Sequence, residues 1–121
     1  MDHEMKRGDI YYADLSGTVS CEQGGIRPVV IIQNDTGNTF SPTTIVAPLT
    51  SKQKKALPTH VYLHRVEQSG LRKESLISME QIRTIDKSRI KGYIGKADDN
   101  TVQQINRAIM ISLGLVERKT I

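Results

Sequence analysis

At 121 residues, 37% apolar and 25% charged, the chain has the make-up of one compact domain that can build a core without metals or disulfides. A net charge of +4 favours a polyanionic partner, while an aromatic content of 4% argues against a surface that grips single strands on many stacked rings. One cysteine excludes an internal disulfide and suits a reducing compartment. The first fifteen residues, "MDHEMKRGDIYYADL", lack the apolar segment of a signal peptide. No apolar stretch approaches the roughly 18–20 residues of a membrane span. A cytoplasmic protein is therefore expected, read as one domain over residues 1–121 with residues 1–5 as a flexible tail.

In chain order, "GDIYYADL" alternates apolar and polar positions at Ile10, Tyr12 and Leu15 and predicts a half-buried strand. "PVVIIQ" is an unbroken β-branched run, the pattern of a central strand, with Pro28 at its tolerated first position. "NDTGN" has the chemistry of a turn. "TTIVAPLT" predicts a third strand ending near Pro48, and "THVYL" a fourth. "ESLISMEQIRTI" supplies a fifth and a sixth, and "YIGKA" one more short strand.

Only the end of the chain has helical spacing. From Asp98, apolar residues recur at Val102, Ile105, Ile109, Leu113 and Val116, with Asp98 or Asp99 as the cap and Gly114 as the fraying point. Many short strands and one amphipathic C-terminal helix predict a mainly β, α+β protein. The expected architecture is a small, strongly bent antiparallel sheet or partly open barrel with the helix over one face.

Several chemistries find no support in the residues. His60 and His64 share a strand face but stand about 13 Å apart along it, His3 lies in the expected tail, and no cysteine pair or HExxH exists. No metal site and no cofactor are expected. Gly24-Gly25 matches neither the Walker nor the dinucleotide fingerprint, and a strand follows it where those motifs need a helix. Lys52, Lys54 and Lys55 form a short basic run that reads either as a solvated loop or as a contact to a phosphate backbone.

Arg27 and Thr50 gain meaning as a pair. If strands two and three form a hairpin about residues 34–42, the outer ends carrying Arg27 and Thr50 lie side by side. A guanidinium fork and a hydroxyl converging there suit a phosphate oxyanion. A surface arginine beside a strand-end threonine is the plainer alternative from spacing alone.

Five segments, "KRGDIYYADLSG", "EQGGIRPVVIIQND", "FSPTTIVAPLTSK", "LPTHVYL" and "SLISMEQIRTID", together resemble the MazF/PemK toxin family, in the form found in Gram-positive bacteria. The likeness runs from Lys6 to the C-terminal helix. It implies an SH3-like barrel similar to the gyrase poison CcdB. The implied activity is that of a toxin of a type II toxin-antitoxin system: a sequence-specific, ribosome-independent endoribonuclease that cuts single-stranded mRNA. The implied partners are RNA, a second copy of the chain in a homodimer, and a MazE-type antitoxin. Through "GGIRP" and "PLTS" the family's catalytic pair falls on Arg27 and Thr50. Relatives commonly place a serine before "EQGG" where this chain has Cys21. The exchange either alters base preference and oxidation sensitivity or is a near-isosteric swap.

RNA-contacting residues are expected in the first loop, Ser16 to Gly25, and chiefly at Cys21, Glu22, Gln23, Gly24 and Gly25. The basic loop adds Ser51, Lys52, Lys54 and Lys55, and the fourth strand adds His60. Arg83 is read as structural, in a strand serving the core and a dimer seam. Two alternatives stand beside the nuclease reading: a CcdB-like inhibitor of gyrase without enzyme activity, and a barrel that binds RNA or antitoxin but has lost catalysis.

Overall fold

The computed structural model describes residues 4–17, 24–51, 57–63, 70–71 and 74–117. Seven strands and two helices follow one another as β1 (Asp9–Asp14), β2 (Ile26–Ile31), α1 (Asp35–Phe40), β3 (Thr43–Ser51), β4 (His60–Leu63), β5 (Ser75–Ser78), β6 (Arg83–Asp86), β7 (Ile90–Lys96) and α2 (Asp99–Ser112). Single 3₁₀ turns at Met79–Gln81 and Lys87–Arg89 flank β6. All recorded strand pairings are antiparallel, in the order β4-β5-β3-β2-β1-β7, with β6 also on β3. The mainly β architecture with a C-terminal helix is the expected one.

β3 organises the sheet. One edge pairs with β2, setting Val29 opposite Pro48 and Ile31 opposite Val46. Its other edge holds β6 at its start and β5 at its end, where Thr50 faces Leu76. The strand runs on to Ser51 and does not stop at Pro48. A proline lacks only its own donor, and β5 supplies partners beyond it.

The unbroken apolar run of β2 reflects burial on both faces. Val30 and Ile32 pack with Ile10, Leu49, Ile77 and α2's Ile105, whereas Val29 and Ile31 pack with Tyr11, Leu15 and Ile85 on the other side. Met5, placed by its position in the expected tail, packs against this second cluster. β1 shares the two-sided burial, so the simple alternation expected there is wrong: Tyr11 is inside and Tyr12 is exposed.

The segment expected to be a turn at residues 34–38 opens a helix instead. The Asn34 side chain accepts from the Gly37 amide and caps α1. Asn38, 5% exposed, donates to the Gln33 carbonyl and accepts from the fully buried Thr44 hydroxyl. Turn-type residues thus act as a cap and a buried anchor, because β3 supplies a polar partner that local sequence cannot show.

α2 begins where predicted, at Asp98, whose carboxylate accepts from the Thr101 amide 2.8 Å away. Ile105 and Ala108 are buried, but Leu113, expected on the buried stripe, is 56% exposed. The helix ends one residue earlier, in a Schellman motif closed by Gly114 to Ile111 and Leu115 to Met110 hydrogen bonds. Arg7 ties the helix to the sheet by donating to the Ile32 carbonyl and to Asn106. Among the described residues no helix is long and apolar enough to cross a membrane.

Candidate active site

Arg27 is placed by its neighbours in sequence and by β3. Pro28 disfavours helical geometry at the residue before it and holds Arg27 extended. Arg27 Nε then donates to the Gly24 carbonyl at 3.0 Å, and Nη1 to the Leu49 carbonyl at 3.2 Å. Two N–H groups are committed to backbone, which aims the guanidinium plane and leaves the rest of the fork for a substrate. The β2–β3 register brings Arg27 and Thr50 to the same end of the paired strands. Both line one pocket of about 500 Å³, together with Ser51. The juxtaposition expected from the hairpin is present.

The loop leading to Arg27 is fastened at its root. The Leu15 amide donates to the Gly25 carbonyl at 2.8 Å, and Gly25 has φ of +75°, a left-handed conformation that glycine adopts without strain. On the incoming side the Asp14 carboxylate accepts from the Ser16 hydroxyl and amide. These hydrogen bonds hold its carboxyl below the usual carboxylate range. Arg89 Nη1 clamps the Asp14 and Ser16 carbonyls, both at 3.1 Å.

The rest of the pocket lining was missed in sequence. Tyr12, Leu71 and Ile94 contribute apolar surface to it, with Gly70 and Ser75 also in the lining. Tyr12 carried a faint signal, a large aromatic in a strand whose next residue is also aromatic. Gly70 and Leu71 carried none, because their contact with β7 joins residues far apart in the chain.

The remaining expected site residues divide. Gly24 and Gly25 are at the loop root, and Ser51 lines the pocket. Cys21, Glu22, Gln23, Lys52, Lys54 and Lys55 lie outside the described residues. His60 is not brought to the pocket. It lines a separate hollow against α2 with Gln103 and Arg107. There its Nδ1 accepts from the Leu57 amide and its Nε2 contacts Glu80 at 3.0 Å, the tautomer in which Nε2 carries the proton. Glu80 also accepts from Thr59. Arg83 lies on β6, outside the pocket, with Nη1 buried and without a hydrogen-bond partner among the described residues.

What the pocket can do chemically follows from its make-up. A guanidinium and two hydroxyl-bearing residues at the paired ends of β2 and β3 can bind and stabilise an oxyanion. Among the described residues no three His, Cys, Asp or Glu side chains gather as metal ligands.

Comparison with known proteins agrees in sequence and in fold. A family model described as PemK-like, MazF-like toxin of type II toxin-antitoxin system matches residues 6–113. Endoribonuclease EndoA of Bacillus subtilis is 51% identical over 114 residues, covering 93% of this chain and 97% of that protein. Endoribonuclease MazF of Staphylococcus saprophyticus is 54% identical over 112 residues, covering 92% of each. Among solved structures, MazF from Deinococcus radiodurans superposes with a TM-score of 0.79 at 21% identity, covering 93% of this chain and 99% of that one. An endoribonuclease in complex with its cognate antitoxin from a mycobacterial species gives 0.77 at 24% identity, covering 94% and 99%. At these identities the structural likeness speaks to the fold.

Proposed function

The chain belongs to the PemK-like, MazF-like toxin family of type II toxin-antitoxin systems and is an endoribonuclease; we propose that it cuts single-stranded mRNA at a site built on Arg27 and Thr50. The observation that carries the site assignment is their meeting in one pocket across the ends of β2 and β3.

The reaction uses a nucleophile that RNA itself carries. The ribose 2′-oxygen attacks the adjacent phosphorus, the bond from phosphorus to the 5′-oxygen breaks, and a 2′,3′-cyclic phosphate and a 5′-hydroxyl result. One proton passes from the 2′-hydroxyl to solvent water and one is delivered to the departing 5′-oxygen. Arg27 stabilises the extra negative charge of the phosphorane and lies on hand to protonate the leaving oxygen. A guanidinium makes a poor base near neutral pH, so Arg27 is not assigned the 2′-hydroxyl proton. Thr50 donates a hydrogen bond to the scissile phosphate. The net charge of +4 draws the RNA backbone towards the protein.

The enzyme works in the cytoplasm, where its substrate is, as a homodimer, and is silenced by a MazE-type antitoxin that covers the RNA site. Purified protein incubated with a long single-stranded RNA in EDTA tests the reading. Discrete fragments ending in cyclic phosphate support it, and intact RNA across varied sequences overturns it. Arg27→Ala should abolish cleavage while the protein remains folded. Full activity in that variant removes Arg27 from the mechanism.

A further inference from the structure

We infer that Tyr12 is a substrate-binding residue of the cutting site, its ring being the platform on which a nucleobase beside the scissile phosphate stacks. The inference rests on the RNA-cutting reading and adds a base contact to it.

The pocket lining carries two kinds of chemistry. Arg27, Thr50 and Ser51 bring polar groups, whereas Tyr12, Pro28, Leu49, Leu71 and Ile94 bring apolar surface. A nucleotide has the same two kinds of chemistry, with an anionic phosphate at one end and a flat, π-faced base at the other. A volume of about 500 Å³ has room for such a unit.

The chain's other aromatic rings are placed elsewhere. Tyr11 and Tyr93 meet edge to face, 5.4 Å apart, and Tyr11 belongs to the cluster on the far face of the sheet. The Tyr62 hydroxyl donates to Glu74, and Phe40, 82% exposed at the end of α1, is not part of the pocket lining. Tyr12 stands apart from them. Ile10, two residues back on the same strand face, is completely buried, yet Tyr12 is 47% exposed. The core stops between these two residues, and the Tyr12 ring is the first surface beyond it.

Two neighbours set that ring's surroundings. Its cross-strand partner is Pro28, the residue after Arg27. On the β7 side lies Gly92, where even a Cβ would reach the ring at 4.0 Å. With only hydrogen there, Gly92 puts no side chain against the ring.

The test uses a labelled single-stranded RNA oligonucleotide with one mapped cut, and two companions with an abasic ribonucleotide on the 5′ or the 3′ side of it. A base stacked equally in ground and transition states lowers KM without changing kcat. Tyr12→Ala should therefore raise KM about 5- to 150-fold on the intact oligonucleotide, with kcat little altered. Tyr12→Phe keeps the ring and should recover most of that loss. On the companion lacking the stacked base, the Tyr12→Ala and wild-type KM values should coincide, the non-additivity expected of direct partners.

A Tyr12→Ala penalty that persists on both abasic companions overturns the inference. So does a Tyr12→Phe variant as impaired as Tyr12→Ala. If melting curves show Tyr12→Ala unfolded, Tyr12→Leu takes its place, with bulk but no flat face, and the same raised KM is expected. An Arg27→Ala control separates the two failures. Wild-type protein that cuts no RNA, or Arg27→Ala that cuts normally, defeats the cutting-site reading. An inactive Arg27→Ala beside a Tyr12→Ala of wild-type KM defeats the Tyr12 inference alone.

Discussion

Replacing Gly70 with alanine tests the pocket and the fold together. Gly70 has φ of +72° and lies so close to β7 that a Cβ would stand 2.1 Å from the Ile94 carbonyl oxygen. Real Cβ contacts essentially never fall below 3.0 Å, so the two segments must separate by about 0.9 Å, the difference between those distances. The atom in the way is backbone in a strand that pairs with β1, and it has no free rotation by which to yield. An alanine in the left-handed region costs about 1–2 kcal/mol, and forcing apart packed segments about 1–3 kcal/mol. The lower entropy of the unfolded alanine chain returns only about 0.4–1 kcal/mol. The net loss is about 1–5 kcal/mol, a sizeable part of the roughly 5–15 kcal/mol that holds a domain together. For a chain of this size each kcal/mol moves the melting point by about 4 °C, so Gly70→Ala should melt roughly 4–20 °C below wild type. Thermal unfolding followed by circular dichroism measures it. Cleavage assays below the transition should also show a raised KM, since Gly70, Leu71 and Ile94 line the pocket. Wild-type melting together with wild-type KM would refute the close approach and its part in the pocket.

Four further outcomes follow from other contacts. Arg27→Lys keeps a positive charge but cannot hold the Gly24 and Leu49 carbonyls and a phosphate with one planar fork. Its kcat should fall by about 10²–10³, as for loss of an oxyanion donor, and near-normal kcat would show that charge alone suffices. Asn38→Ala strands the fully buried Thr44 hydroxyl and should cost about 1–3 kcal/mol in urea unfolding; an unchanged midpoint would show the network to be dispensable. Asp98 has its carboxyl lowered below 3.8, chiefly by the Thr101 amide. Its contribution is present above the unfolded value and lost as pH falls through the folded one, so the stability gap between wild type and Asp98→Ala should close in acid. Tyr11 is pushed up from 10.0 to about 12, first by burial and then by Asp9 and Tyr93. Its neutral form is favoured in the folded state, so stability is unaffected below pH 10 and declines between 10 and 12. Tyr11→Phe should lack that alkaline decline when both proteins are titrated with denaturant.

Much of the fold was legible because burial periodicity is written locally. The run Val29 to Ile32 demanded a strand covered on both sides, and both of its faces are buried. Asp98 announced α2 and caps it. Local signals failed where a distant partner decided the outcome. "NDTGN" has turn chemistry by itself, but Asn38 accepts from the buried Thr44 hydroxyl once β3 has packed, and the segment closed into α1. Tyr12 occupies an apolar slot in the alternation of β1, but the core ends before reaching it. His60 belongs to a segment shared with the RNA-cutting family, yet β4 and α2 hold its imidazole in a different hollow from Arg27.

What the sequence determined by itself was the run of strands, the C-terminal helix and the two ends of the strands on which Arg27 and Thr50 stand. These depend on side-chain period, proline and capping residues, all acting within a few positions. Only the tertiary structure decided which residues complete the pocket beside Arg27 and Thr50. Gly70 meets Ile94 across a gap of 24 positions, and Tyr12 borders a space also lined by Leu71, 59 residues away. Such contacts arise from how strands are ordered in the sheet and how closely two backbones approach. No local pattern encodes either, because each depends on where the rest of the chain has already packed.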